Sequence, residues 1–389
     1  MKAIIIGAGI GGLTTALALQ SVGIETQIYE QGPILREAGA GISLWANAID
    51  ALDVLGLGEP LRSRSTPGLN GTLRTANGKV LQAASYDELA RRFGAAMIVV
   101  HRADLLAMLA ARVNPQTIYL NHRCTGFVQQ SGKVTAQFAN GETVDGDLLI
   151  GADGLGSVVR AQLFGDVPPR YAGYTAWRAV VRMDRAHTGT SETWGAGQRF
   201  GITQFVDGRA YWYATKNASP GEKFAQASVK QTLLGFFGEW HEPIRTLIEA
   251  AEETAILRND IYDRDPLIKW SEGRVTLMGD AAHPMTPNLG QGACQAIEDA
   301  LVLAVCLRKA ADPSTGLLEY ERRRIPRTTR IVLESRRIGV VGQWANPLLC
   351  WIRDTAFRAI PGRLTIRHMD ALAGYRVLTP DDGALISKE

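Results

Sequence analysis

Over 389 residues the chain has only four cysteines, Cys124, Cys294, Cys306 and Cys350. They show neither a paired metal spacing nor a dense framework, which excludes a disulfide scaffold and a dithiol redox centre and reads as reduced, buried thiols. Its six histidines are scattered, none in ligand spacing with another, so no metal is expected. No apolar window is long enough to span a membrane, so no integral membrane segment is expected. The apolar run after Lys2 is four residues long and ends in glycines, unlike a signal peptide, and the expected location is cytoplasmic. Net charge is only +3, which gives no global argument for nucleic acid or a membrane surface as partner. Internal repeats and low-complexity segments are also missing. What is present, 46% hydrophobic and 21% charged residues, is the composition of a globular α/β enzyme with room for two domains.

The first thirty residues carry the strongest signal. Lys2–Ile6 is an aliphatic strand running into Gly7-Ala8-Gly9-Ile10-Gly11-Gly12, followed by a helix over Leu13–Ser21, Gly23, and a second strand, Glu25–Tyr29, ending at Glu30. This is the G-x-G-x-x-G fingerprint in its required strand–turn–helix context. Gly7 permits the tight turn, Gly9 admits a pyrophosphate and Gly12 lets helix and strand pack. Glu30, eighteen residues after Gly12, is placed to accept hydrogen bonds from a ribose diol and disfavours a 2′-phosphate there. The motif alone does not separate FAD from NAD.

A second centre is Gly279–Asp299, GDAAHPMTPNLGQGACQAIED. It reads as strand end, carboxylate, rigid proline loop, glycine pair and helix N-terminus. Asp280 offers an acceptor for sugar-like hydroxyls, and Gly290-Gln291-Gly292-Ala293 offers free N–H groups and the positive end of a helix dipole. His283, inside this loop, reads as structural.

Between these centres the signals are weaker. The glycine-rich run REAGAGISLWANA after Gln31 is small enough to pass beside a planar ring, or is simply a loop. Asn77-Gly78 marks a hairpin within Gly71–Ala95, with a charged helical piece after it. Arg102, where an apolar strand gives way to a helix, meets either a pyrophosphate or a surface ion pair. Strands are expected over Ile118–Val128, Lys133–Phe138 and Thr143–Val144, and then Gly151-Ala152-Asp153-Gly154 with Ser157 and Arg160 forms a phosphate- and ribose-facing corner.

From Tyr171 to Asp260 the pattern alternates like strands and gathers aromatics, with Asp207-Gly208 as a hairpin. Period two sets Tyr211 and Tyr213 on one face and Trp212 on the other. That face is either a pocket wall or ordinary core. Arg178 and Arg199 on it would need an anionic or polar ligand. The arginine-dense stretch Glu319–Arg337, kinked or broken by Pro326, reads as a solvated helix face. The amphipathic stretch Trp344–Ile360 suits packing on the body or on a second subunit, which leaves a homodimer open.

Taken together, GAGIGG with Glu30, GADGLGS with Arg160, and the Gly279 stretch resemble the three FAD motifs of the single-component flavin monooxygenases, the para-hydroxybenzoate hydroxylase-like group. RNDIYDRDPLIKW with the Gly279 stretch is most similar to zeaxanthin epoxidases and to urate, salicylate and 6-hydroxynicotinate hydroxylases. The resemblance implies a Rossmann-type FAD-binding domain with a central parallel sheet (1–70, 98–165 and 270–320). This is interleaved with an antiparallel-sheet substrate domain (71–97 and 166–269) and followed by a C-terminal helical region (321–389). It implies that Gly7, Gly9, Gly11, Gly12 and Glu30 hold the ADP half, that Arg102, Cys124 and Asp153 lie against FAD, that Asp280 binds the ribityl chain, and that Gly290, Gln291, Gly292 and Ala293 line the flavin. Arg199, Tyr211, Pro287 and Arg178 would contact substrate. The implied reaction is insertion of one oxygen atom of O2 into a small electron-rich aromatic or heteroaromatic through a flavin C4a-hydroperoxide. NADH or NADPH would be a transient co-substrate, because no second dinucleotide unit exists. Urate hydroxylases carry an acidic residue where this chain has Asn288, which matches the epoxidase pattern. The alternatives are an epoxidase of an isoprenoid-like substrate and a non-oxygenating FAD reductase or dehydrogenase of the same fold.

Overall fold

The computed structural model describes residues 1–35, 41–64, 70–87, 90–91, 94–183, 190–224, 228–379 and 381–382. The first half of the glycine-rich run after Gln31 lies outside them, as does part of the charged piece after Ser85.

Its first layer is a parallel sheet built on the aliphatic opening strand. The order is Ser271–Glu272, Val275–Leu277, Leu148–Gly151, Lys2–Ile6, Glu25–Tyr29 and Ile118–Tyr119, parallel except for the short first strand. Ile5 lies in register with Ile28 on one side and Ile150 on the other. Both faces of these strands are covered, which is why they read as continuous apolar runs. The helix Ile10–Ser21 packs on the helix Gly292–Lys309, so the two glycine motifs sit side by side although they are far apart in the chain.

The expected strand over Ile118–Val128 is in fact two. Ile118–Tyr119 closes the parallel sheet, whereas Cys124–Gln130 starts a separate three-stranded antiparallel sheet with Lys133–Phe138 and Thr143–Gly146. The break falls at Asn121, whose backbone is left-handed at φ 59°, a conformation no strand residue adopts.

The second layer is a seven-stranded sheet ordered Leu257–Asp263, Arg170–Arg182, Arg209–Asn217, Gln198–Gln204, Thr190–Trp194, Asn70–Thr75 and Val80–Ser85. It is antiparallel except where Thr190–Trp194 runs parallel to Asn70–Thr75. Period two divides it cleanly. Trp177, Ala179, Phe200, Ile202, Trp212 and Ala214 point to one face and are covered by the helices Val229–Phe237 and Ile244–Ala250. Full burial of each of the larger of these side chains contributes about 1.5–3 kcal/mol. The opposite face looks toward the parallel sheet. Gly41–Trp45 and Met97–His101 pair between the layers as a small antiparallel ribbon.

Four helices follow, Gly292–Lys309, Pro313–Gly342, Pro347–Ala359 and Gly362–Ala373. Pro326 neither breaks nor ends the second of these, which runs through it for 30 residues. The reason is tertiary. Arg324 and Arg327, flanking the proline, are tied to Glu298 on the neighbouring helix, and Arg324 also bonds Asp299. The arginine run is therefore only partly a solvated face: Arg322 is exposed, but Arg324 is 1% exposed. Among the described residues, no helix is long and apolar enough to cross a membrane.

Candidate active site

A continuous cavity of about 1320 Å³ lies between the two layers and reaches from Glu30 to the seven-stranded sheet. Gly7, Gly9, Gly11, Glu30, Arg102, Cys124, Asp153, Asp280, Gly290, Gly292, Ala293, Arg178, Arg199, Tyr211 and Pro287 all line it. Two residues of the expected set do not. Gly12 is consumed by packing, since a Cβ there would lie 1.9 Å from the Gly7 carbonyl oxygen. Gln291 turns inward, is 1% exposed, and accepts hydrogen bonds from Asn47 and Gln295.

At the Glu30 end the first helix begins at Gly9 without a side-chain cap, so its first-turn amides are free to bind an anion. The Glu30 carboxylate accepts from the Ala8 amide at 2.9 Å and the Gly32 amide at 2.8 Å, which fixes it beside that turn with lone pairs to spare. Gly7 has φ 104°, and a Cβ there would come 2.5 Å from the Ala152 carbonyl. Only glycine allows the chain to turn so close to the neighbouring strand.

The middle of the cavity carries charge. Asp280 faces open space but is otherwise enclosed by protein, and this burial raises its carboxyl above the usual range against the pull of His283 and Arg102. Enclosure likewise lowers the Arg102 guanidinium, with Asp280 opposing and Arg178 adding to the effect. The Cys124 thiol is pushed up to about 11 by burial, so it is not a nucleophile near neutrality.

Asp153, at the cavity wall, also has a structural task. Ser157 Oγ donates to it at 2.6 Å, and the Val158 and Val159 amides donate at 2.8 and 3.3 Å, so the carboxylate caps the helix Val158–Phe164. Arg160, by contrast, is not among the residues that line the cavity. It is buried and donates to the Ala281 and Ala282 carbonyls at 3.0 and 2.9 Å, locking this corner to the Asp280 loop.

That loop is held from behind. His283 Nε2 lies 2.6 Å from Asp299 Oδ2, which also accepts the Gly279 amide at 3.0 Å. Burial acts to raise Asp299, but His283 and Arg324 outweigh it and hold the carboxyl at about 2. Beyond the loop Gly290 takes φ 61°, and the helix Gly292–Lys309 starts with the Gly292 and Ala293 amides, which have no intrahelical acceptor, at the cavity wall.

On the sheet side, Tyr211 and Tyr213 share the cavity face, with Arg178 directly opposite Tyr213 on the adjacent strand. Arg199 is 3% exposed. It donates to Asn288 Oδ1 at 2.5 Å and Gln343 Oε1 at 3.1 Å, pairs with Glu192 at 3.3 Å, and lies over the Tyr174 ring. The motifs gave no notice of Glu192 and Trp194, although period two along Thr190–Trp194 would have put both on the Arg199 face. Phe357 and Met369 reach the cavity from the last two helices, and no local pattern marks them.

The family model described as "FAD binding domain" matches residues 1–198 and 211–335. The chain belongs to this family. It is an FAD-dependent monooxygenase of the para-hydroxybenzoate hydroxylase-like group. Among similar proteins, the aurachin C monooxygenase/isomerase of Stigmatella aurantiaca is 41% identical over 364 residues, covering 92% of this chain and 94% of that one. The FAD-dependent urate hydroxylase of Klebsiella pneumoniae is 34% identical over 343 residues, covering 87% and 89%. The crystal structure of Klebsiella pneumoniae HpxO complexed with FAD and uric acid matches with a TM-score of 0.91 at 31% identity, covering 96% of each chain.

The residues present fit FAD. The cavity offers uncapped helix amides and an arginine for a diphosphate, carboxylates at Glu30 and Asp280 for hydroxyl groups, and a second helix N-terminus where a flat ring system would end. A glycine turn with no room for a Cβ lets the backbone approach closely.

Proposed function

We propose that this flavoprotein hydroxylates a small electron-rich aromatic or heteroaromatic compound, with NADH or NADPH as electron donor. The observation that carries the reading is the single cavity joining the Glu30 turn to the Arg178–Tyr211 face, with a helix N-terminus between them. The chemistry that bound FAD would supply is two-electron uptake from the nicotinamide and delivery of one oxygen atom of O2 to the substrate, the other leaving as water.

In this reading Glu30 accepts the ribose hydroxyls, the amides after Gly9 and the Arg102 guanidinium bind the diphosphate, and Asp280 accepts from the ribityl chain. The amides of Gly292 and Ala293 are fixed dipoles that stabilise negative charge at their end of the cavity without having to reorganise. Arg178, Arg199, Tyr211 and Pro287 form the substrate side. The Asn288 amide is fully engaged, accepting from Arg199 and Tyr174 and donating to Thr286 and Ser335, and as an amide it does not exchange protons near neutrality. No protein acid or base is assigned to the reaction. Tyr211, Tyr213 and the surrounding apolar walls exclude water.

The test is nicotinamide consumption by the purified protein across a library of phenols, benzoates and heteroaromatics under heavy-isotope O2. Label in the organic product supports hydroxylation. Label only in peroxide or water with every compound would refute it.

A further inference from the structure

The helix Pro347–Ala359 is turned the opposite way to a helix that packs on a core. Leu348, Trp351, Ile352, Ala356 and Ala359 are spaced as one helix face, and all of them are exposed, with Thr355 as the polar residue among them. Leu348 is 63% and Trp351 64% exposed. Arg353 and Asp354 turn inward instead. Arg353 is buried, donates to the Gly195 and Gly342 carbonyls at 3.2 and 3.4 Å, pairs with Asp354 at 2.9 Å and lies over the Trp194 ring. A buried guanidinium thus anchors the helix, and the apolar stripe takes no part in holding it. Ile360 and Leu364, also exposed, extend the apolar run through the turn into the helix Gly362–Ala373. Single apolar residues on a surface mean little, but a contiguous stripe marks a contact.

The charges around this stripe decide what covers it. From Trp344 to Leu378 the sequence holds five arginines against two aspartates, a surplus equal to the +3 of the whole chain. Arg358 and Arg367 are exposed, whereas Asp354 is tied to Arg353 and Asp370 is half-buried. A second copy seated here about a two-fold axis would set these arginines against their own kind. An anionic phospholipid surface satisfies both features, since acyl chains take the leucine and indole side chains while headgroup phosphates meet the guanidinium groups. At 13 residues the helix can lie along a bilayer but not cross it. We infer that the helices Pro347–Ala359 and Gly362–Ala373 dock the protein peripherally on an anionic lipid bilayer, with Leu348, Trp351 and Ile352 inserted among the lipids. Phe357 and Met369 of the same two helices line the cavity, so docking brings that wall of the cavity to the membrane surface.

The experiment floats FAD-loaded enzyme with vesicles of phosphatidylcholine alone, or of equal parts phosphatidylcholine and phosphatidylglycerol. The parent floats with both, more strongly with the mixed vesicles, and salt removes that surplus. Leu348→Ser combined with Trp351→Ser keeps the flavin and the thermal midpoint, because both side chains stand in solvent. The same variant loses about 10- to 100-fold in partitioning into either vesicle. Arg358→Gln with Arg367→Gln abolishes the preference for the mixed vesicles and leaves the remainder. Brominated acyl chains quench tryptophan fluorescence in the parent, and Trp351→Phe, which retains fold and docking, loses that quenching. The inference is overturned if the parent floats with neither vesicle, if the Leu348, Trp351 variant floats as well as the parent, or if Trp351→Phe is quenched like the parent. A parent that sediments as a dimer, split by the Leu348, Trp351 variant, would give this face to a second copy and overturn it as well.

Discussion

Asp280, at the cavity wall, and Arg324, in the core, show how one fold treats charge in two ways. Enclosure by the surrounding cavity walls raises the Asp280 carboxyl although its outer side faces open space, so in the folded apoprotein its ionised form is disfavoured relative to the unfolded chain. The group is kept for what it binds. Asp280→Asn is therefore expected to leave the apoprotein as stable as the parent or more so at neutral pH, while FAD affinity falls by about 10- to 100-fold, a charged hydrogen bond's worth. Thermal melts of apoprotein and titration of flavin fluorescence would check the two halves, and a destabilised apoprotein would refute the first. Arg324 is the reverse case, a buried cation between Glu298 and Asp299 with a further bond to Gln295. Removing one member of a buried pair strands the other charge, at a cost of about 3–5 kcal/mol. Arg324→Met should show that loss in urea unfolding, and a loss under 1 kcal/mol would mean that water reaches the network.

At the scale of elements, the decisive contact is backbone against backbone. In Gly12→Ala the new methyl would sit 1.9 Å from the Gly7 carbonyl oxygen, and no side chain can move to relieve it. The helix must shift off the strand, so the variant is expected to purify with little bound flavin and a lower melting point. Full yellow colour at the parental melting point would rule this out. Elements of this kind are legible in sequence because their requirements are local: a strand, three glycines and an acid in fixed order, or the hairpin at Asp207-Gly208. The period-two split of Tyr211 and Tyr213 from Trp212 is local in the same sense and holds in the structure. What escaped the sequence is set by distant partners. Pro326 stays within a continuous helix because Arg324 and Arg327 are anchored to Glu298, about 30 residues earlier in the chain. Arg160 sits in a motif that reads as ligand-facing, yet it serves two loop carbonyls. That Arg199 meets Glu192, Asn288 and Gln343 depends on which strand and helix lie opposite it. No spacing encodes that.

For the molecule as a whole, acid and cofactor act on the same joint. The helix Gly292–Lys309, which starts at the cavity, is fastened to the C-terminal helices by carboxylates. Burial pushes Glu298 and Asp299 up, but Arg324, with Arg327 or His283, pulls them below their ordinary values, and Asp299 reaches about 2. A carboxylate depressed in the folded state gives stability that is complete above the unfolded pKa and lost as pH falls through the folded one. The joint should therefore hold at pH 5 and fail between roughly pH 4 and pH 2, the window between an ordinary carboxylate and Asp299. Trp270, packed at a tilt against His283 and Tyr320 at this joint, is a built-in fluorescent reporter. Asp299→Asn should start less stable and lose less on acidification, and a parental acid transition in that variant would place the loss elsewhere. FAD enters as linkage. The cavity is walled by both sheets and by the start of this helix, so a ligand there binds the folded chain and has little to hold in the unfolded one. Each tenfold rise in free FAD above its dissociation constant should then add about 1.4 kcal/mol and move the acid midpoint lower. An acid midpoint indifferent to FAD would mean that the helix joint and the cavity come apart independently.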